Sequence, residues 1–172
     1  MCWRSLAEWF GFQLVWLMCA LGAAEGRTAP GCVAAAIFVC AVLASKRWSS
    51  SECLIILASG VAGLLVESLF VTMGMIRFAA PWPNLHLAPA WIVALWCAFG
   101  ATLTTLASWL GDRFVIKAMS VAFVAGPLTY WAGERLAALE IVGSAPLTYL
   151  AIALIWAMTL LILLTVRRRL PK

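Results

Sequence analysis

Glu67 is the side chain best placed by type and position to do chemistry. It stands inside the apolar run from Leu54 to Val71, and an ionisable group within a membrane span costs about 2.5–3.5 kcal/mol on insertion scales unless a partner offsets it. A carboxylic acid there has three uses: proton donor to a lipid, titrating group of a carrier, or hydrogen-bond anchor between helices. Counted from Cys53 it lies about 21 Å into the membrane. Trp96 and Trp16 fall at a similar level and Trp156 somewhat deeper. Their rings could wall a cavity, and the face of Trp96 suits a developing cation.

Tyr130 and Glu134 are four residues apart and share a helix face near the outer end of the fifth apolar stretch. With Arg77, His86 and Arg135 they make a candidate polar vestibule above Glu67. Arg77 itself is about 15 Å from Glu67 along a continuous helix, too far to pair directly. Glu67 is therefore the candidate proton donor, with Tyr130 and Glu134 as further catalytic candidates. Trp96, Trp16, Trp156, Arg77 and Arg135 are candidate substrate contacts. A plainer account competes with every one of them: Glu67 as an interhelix bond, a solvated rim of local ion pairs, and an interfacial belt that includes Trp3, Trp48, Trp82, Trp109 and Trp131.

The elements that must position these residues follow from composition. Hydrophobic residues make up 65% of the chain and charged ones 11%, against about 25% charged in soluble domains, so the protein is a polytopic membrane protein. Apolar stretches at 9–24, 29–45, 53–76, 89–110, 114–133 and 145–166 give an all-α bundle of six transmembrane helices forming one domain, 1–172. Nine of the twelve Lys and Arg residues lie in one alternating set of segments: Arg4, Lys46, Arg47, Arg113, Lys117, Arg167, Arg168, Arg169 and Lys172. Arg27, Arg77 and Arg135 lie in the other. This bias places both termini in the cytoplasm and accounts for the net charge of +5 without nucleic acid.

Arg4, the apolar run after it and Leu21-Gly22-Ala23-Ala24 resemble a signal peptide, but Glu8, Trp9 and Trp16 suit a retained helix. Small residues at helical spacing mark packing faces: Ser59, Gly63 and Glu67, continued by Gly74, on the third span; Ala94, Ala98, Thr102, Thr105 and Ser108 on the fourth; Ala118, Ala122, Gly126, Thr129 and Gly133 on the fifth. Pro127 should kink the fifth span and free the Phe123 carbonyl. Pro81, Pro83 and Pro89 stiffen an apolar loop that lies on the outer membrane face or folds over the bundle. No internal repeat is visible.

Several chemistries are excluded by residue type. His86 is the single histidine, so paired haem ligands and di-iron histidine clusters cannot form, and no His-Glu-x-x-His pair is present. The six cysteines include no Cys-x-x-Cys. Cys19 and Cys32 lie near the outer ends of adjacent spans, where a disulfide is feasible, although buried apolar thiols fit better. Phosphate-cradling and nucleophile-elbow motifs are absent too. Neither a metal nor a cofactor is expected.

The segment Pro89-Ala90-Trp91-Ile92-Val93-Ala94-Leu95-Trp96-Cys97-Ala98-Phe99-Gly100-Ala101-Thr102-Leu103, then Ser108-Trp109-Leu110, and Gly126-Pro127-Leu128-Thr129-Tyr130-Trp131-Ala132-Gly133 resemble an uncharacterised family of small bacterial inner-membrane proteins, a domain of unknown function. The resemblance covers nearly the whole chain, with Glu67 and the Pro81-Trp82 loop in the expected order. It implies a multi-pass protein of the bacterial inner membrane. Through family genes that neighbour lipid-modifying methyltransferase genes, it also implies a role with lipids. It carries over no catalytic residue.

Three readings follow: a partner or scaffold subunit for membrane lipid metabolism, a metal-free isomerase or cyclase using Glu67 as acid, and a small proton-coupled carrier. The expected partners are membrane lipids and either another membrane protein or a second copy of the chain.

Overall fold

The structure, a computed structural model, describes residues 3–46, 48–111 and 114–171, apart from the Arg4 side chain. Six helices run α1 (Trp3–Ala24), α2 (Ala29–Ser45), α3 (Ser50–Thr72), α4 (Ala90–Leu110), α5 (Phe114–Arg135) and α6 (Ala145–Arg169), with short strands β1 (Ile76–Phe78) and β2 (Leu139–Ile141) between them. Five of the helices are long and apolar enough to cross a membrane, and α2 is a shorter apolar helix of 17 residues. The protein is an all-α, multi-pass membrane protein. Arg47, Arg113 and Lys172, counted above in the charge bias, lie outside the described residues, as does Cys2.

Proline and glycine set the helix ends. Pro30 and Pro146 occupy the first turns of α2 and α6, where a missing N–H costs nothing. The third span was expected to reach residue 76, with Gly74 on its packing face; instead the helix stops at Thr72. Gly74 takes φ +66°, its N–H bonds to Val71 O and that of Met75 to Phe70 O. That pattern is a Schellman motif, so Gly74 is a terminator. The chain then enters β1.

α4 is the central helix, packed most extensively on α3 and also against α1, α2 and α6, while α5 pairs chiefly with α6. β1 pairs antiparallel with β2, Arg77 opposite Glu140. A repeat that is not visible in the residue types is present in the backbone. The unit α3-β1-α4 is followed by α5-β2-α6, and an offset of 63 residues, the separation of Arg77 from Glu140, superposes the helix ends Thr72 and Arg135, the left-handed residues Gly74 and Ala137, and both strands. α5 closes with the same hydrogen bonds, Ala137 N–H to Glu134 O and Ala138 N–H to Gly133 O. A register centred on Arg77 and Glu140 is what a two-fold axis between the two units produces.

Five helix ends meet through ion pairs and hydroxyl bonds at one pole of the bundle. Glu8 of α1, Lys46 after α2, Glu52 of α3, Thr104 of α4 and Arg167 of α6 are bonded there. Successive helices therefore alternate direction, and α1 begins and α6 ends at this same pole. The opposite pole carries β1, β2 and the proline loop. That loop folds back: Ala88 is buried, its N–H bonds to Ser68 Oγ, and Trp91 Nε1 donates to Ala79 O.

Candidate functional site

Glu67 lies five residues before the end of α3, about 7.5 Å along the axis from it, and is completely buried. The stripe that places it there is real packing. Ser59 and Gly63 are buried on the same face, and Ser59 Oγ donates to Trp96 O at 2.8 Å. Gly63 has a steric reason to lack a side chain, since a Cβ there would overlap the Trp96 ring. Glycine thus lets α4 approach α3 closely enough for Trp96 Nε1 to donate to Glu67 Oε1 at 2.8 Å.

The second unit repeats the seat. Gly126 of α5 lies under Trp156 of α6, with an added Cβ only 2.9 Å from Trp156 Cγ. Trp156 Nε1 points to the Tyr130 hydroxyl at 3.4 Å, and that hydroxyl donates to Glu67 Oε1. Four of the expected site residues are therefore brought together: Glu67, Trp96, Tyr130 and Trp156. Aromatic rings enclose them. Trp96 and Trp156 are 4.8 Å apart between centroids, Phe99 packs on both, and Phe70 meets Tyr130 edge to face.

Glu67 Oε1 accepts from both Trp96 and Tyr130, whereas Oε2 is buried with no partner among the described residues. In either protonation state that oxygen has an unmet hydrogen bond, which is costly in an apolar interior. It is the single chemically open position of the cluster.

The remaining candidates go elsewhere. Glu134 does not join Tyr130; it turns to the corner of α5, β2 and α6, accepting from Ile141 N–H at 3.2 Å and from Tyr149 Oη–H at 3.1 Å. Two residues four apart differ by about 40° around a helix, enough to put one in the core and the other at its edge. Arg77 pairs with Glu140 at 2.7 Å in an exposed cross-strand bridge, and Arg135 lies over the Trp131 ring at 5.6 Å. His86 is exposed in the loop. No vestibule forms above Glu67 from these groups; they make a rim of local pairs.

Trp16 packs half-buried against the core, and among the described residues no hydrogen bond or ring contact joins it to Glu67. α5 runs as helix through Pro127. Cys19 and Cys32 are free thiols; Cys40 and Cys53, expected to be buried, are exposed on the outside of the bundle. Trp3, Trp48, Trp82, Trp109 and Trp131 are all at least half exposed, as an interfacial belt requires.

A second polar group was not anticipated. At the basic pole Glu52 is 3% exposed, with Lys46 Nζ at 3.3 Å and Arg167 Nη2 at 3.1 Å. Thr104 Oγ1 donates to Glu52 at 2.5 Å and in turn accepts from Arg167 Nε at 2.6 Å. Glu8 accepts from Thr105 Oγ1 at 2.5 Å and faces Lys46 at 3.7 Å. The available signal was the sign of the charges: Glu8 and Glu52 are acids at the pole where the basic residues concentrate. Two carboxylates and two cations make the cluster neutral, which is how charge is kept at a helix end within a bundle.

No curated protein and no solved structure matches the chain. Residues 5–162, nearly its whole length, match the family described as protein of unknown function DUF2878. That match agrees with the resemblance carried by the Trp96 and Tyr130 segments, and the chain belongs to the DUF2878 family.

Proposed function

We propose that the protein is a membrane-embedded partner or scaffold subunit serving membrane lipid metabolism, in the bacterial inner membrane with both termini cytoplasmic. One observation carries the scaffold reading. Glu67 spends Oε1 on two donors, from α4 and α5, in a fully enclosed position at the junction of the two repeated units. A carboxyl so used fastens helices. The lipid assignment is supported by the family resemblance, and the cytoplasmic termini by the bias of basic residues toward one pole.

A second reading, a small proton-coupled carrier, is favoured by a different observation. The unpartnered Glu67 Oε2 lies between two units related as parallel repeats, the place where repeat-built transporters hold their coupling groups. An acid catalyst acting on a lipid would use the same oxygen.

Complementation of a deletion strain by Glu67→Gln, read by lipid analysis, separates them. Glutamine keeps a carbonyl oxygen for Trp96 and Tyr130 but cannot cycle a proton, so the scaffold reading expects the wild-type lipid profile to return. Loss of complementation by normally folded, normally abundant Glu67→Gln protein would reverse the order of the two readings. An unchanged lipid profile in the deletion strain would remove the lipid role altogether.

A further inference from the structure

We infer that the corner where α4 ends, α5 begins and α6 leaves the membrane is a binding site for the phosphate headgroup of an anionic phospholipid, with Lys117 and Arg168 as its cationic ligands. This inference is independent of how Glu67 acts.

The two side chains are drawn to consecutive backbone carbonyls at the end of α4. Lys117 Nζ donates to Leu110 O at 3.2 Å and Arg168 Nη2 donates to Gly111 O at 2.6 Å. Carbonyls at a helix C-terminus lack intrahelical donors and carry the negative end of the helix dipole, so they gather cations there. The Arg168 guanidinium carbon also lies 3.9 Å from the Phe114 ring centroid, over an apolar floor.

Neither cation is spent. An ammonium has three donors and a guanidinium five, and the structure shows each of these making one hydrogen bond to a carbonyl. Arg27, Lys46, Arg77 and Arg167 each have a carboxylate within 4 Å, while among the described residues Arg135 stacks on Trp131 alone; Lys117 and Arg168 are brought to adjoining carbonyls of one helix end. Among the described residues no carboxylate lies that close to Lys117 or Arg168. Asp112 and Arg113, of opposite formal charge, adjoin the corner and lie outside the described residues.

Both cations are exposed, at the pole of the bundle where membrane spans meet headgroups. Exposed apolar side chains Val121, four residues beyond Lys117 on α5, and Ile162, six residues before Arg168 on α6, lie on the membrane side of the corner and offer a surface to acyl chains. A phosphodiester at the bilayer surface would bridge the two cations with its free oxygens, while its chains stay in the lipid. A free phosphate would satisfy the charges but use none of the apolar flank.

The test is native mass spectrometry of the full chain released from mixed phosphatidylglycerol and phosphatidylcholine nanodiscs. The expected result is retention of phosphatidylglycerol over phosphatidylcholine by about tenfold or more, lost in Lys117→Gln/Arg168→Gln and kept in the charge-preserving Lys117→Arg/Arg168→Lys. Arg77→Gln/Glu140→Gln, at the opposite pole, should leave the preference unchanged. Glutamine retains a donor for the carbonyls, and an unchanged thermal midpoint for the double variant would confirm that it is folded. If the variant is unstable, the charge-preserving pair still decides, because it must retain the lipid. Equal retention of the two lipids by the wild type, or undiminished phosphatidylglycerol in the folded glutamine variant, would overturn the site. Displacement of phosphatidylglycerol by millimolar inorganic phosphate would overturn its assignment to a lipid.

Discussion

Glu67 and Tyr130 occupy the same position in two successive helix–strand–helix units, 63 residues apart, and they are hydrogen-bonded to each other. Equivalent residues can touch in this way when they lie close to the axis relating the units, and the Arg77–Glu140 pair, with the same separation, marks that axis at the membrane surface. The repeat thus explains why one carboxyl and one phenol, neither with a second polar group of its own kind nearby, meet in the core.

Removing the phenol should weaken this junction measurably. Tyr130→Phe leaves Glu67 Oε1 with Trp96 as its remaining donor and removes the acceptor of Trp156 Nε1. Interhelix hydrogen bonds in membranes are worth about 0.6 kcal/mol on average and about 1.7 at most. A double-mutant cycle of Tyr130→Phe with Glu67→Leu, which removes the acceptor altogether, read by thermal or denaturant unfolding in one detergent, should return a coupling in that range. Strict additivity of the two substitutions would show that the bond contributes nothing to the fold.

The tryptophan seats can be tested separately from the polar bonds. Gly63→Ala forces a methyl group against the Trp96 ring, and Gly126→Ala does the same to Trp156. Overpacking of this kind costs about 1–3 kcal/mol. Gly63→Ala should also change the near-ultraviolet circular dichroism of the tryptophans, because Trp96 must shift relative to Trp156. A wild-type midpoint and spectrum for Gly63→Ala would mean that the two helices do not approach as closely as described.

The sequence showed the helices and part of the site for definite physical reasons. Apolar runs near twenty residues have one stable form in lipid, so the spans were legible, and the four-residue recurrence of Ser59, Gly63 and Glu67 pointed Glu67 inward. Depth arithmetic placed Trp96 correctly. Trp16, at the same depth, lies on a helix that does not reach Glu67, and depth alone cannot tell one side of a bundle from another. The repeat was hidden because it lives in the backbone. The 63-residue offset matches Gly63 with Gly126 but Glu67 with Tyr130, Ser59 with Ala122 and Gly74 with Ala137, so few residue types coincide. The buried cluster around Glu52 was hidden for another reason: Lys46 and Arg167 read as a topological signal, which conceals that they also have acidic partners.

Orientation has a direct check. With α1 beginning and α6 ending at the basic pole, reporter fusions after Lys172 and within residues 81–89 should report opposite compartments, the first cytoplasmic. Reporting from the same compartment would contradict the alternation of helices.

The Glu52 cluster yields the sharpest contrast between two kinds of ion pair in one molecule. Lys46 and Arg167 side chains are 14% and 11% exposed beside a carboxylate that is 4% exposed. Glu52→Ala therefore leaves Arg167 without a carboxylate, Lys46 with Glu8 alone and a threonine hydroxyl without its acceptor in a poorly solvated helix junction, a loss of about 3–5 kcal/mol. Arg77 and Glu140, 68% and 61% exposed, are solvated already, and Glu140→Ala should change stability by no more than about 1 kcal/mol. Replacing Glu52 and Arg167 together, by Gln and Met, should recover part of the loss, because less charge is then left uncompensated. Unfolding midpoints of these variants in the same detergent give the comparison. If Glu140→Ala proved as damaging as Glu52→Ala, burial at the basic pole could not be what makes the Glu52 cluster matter.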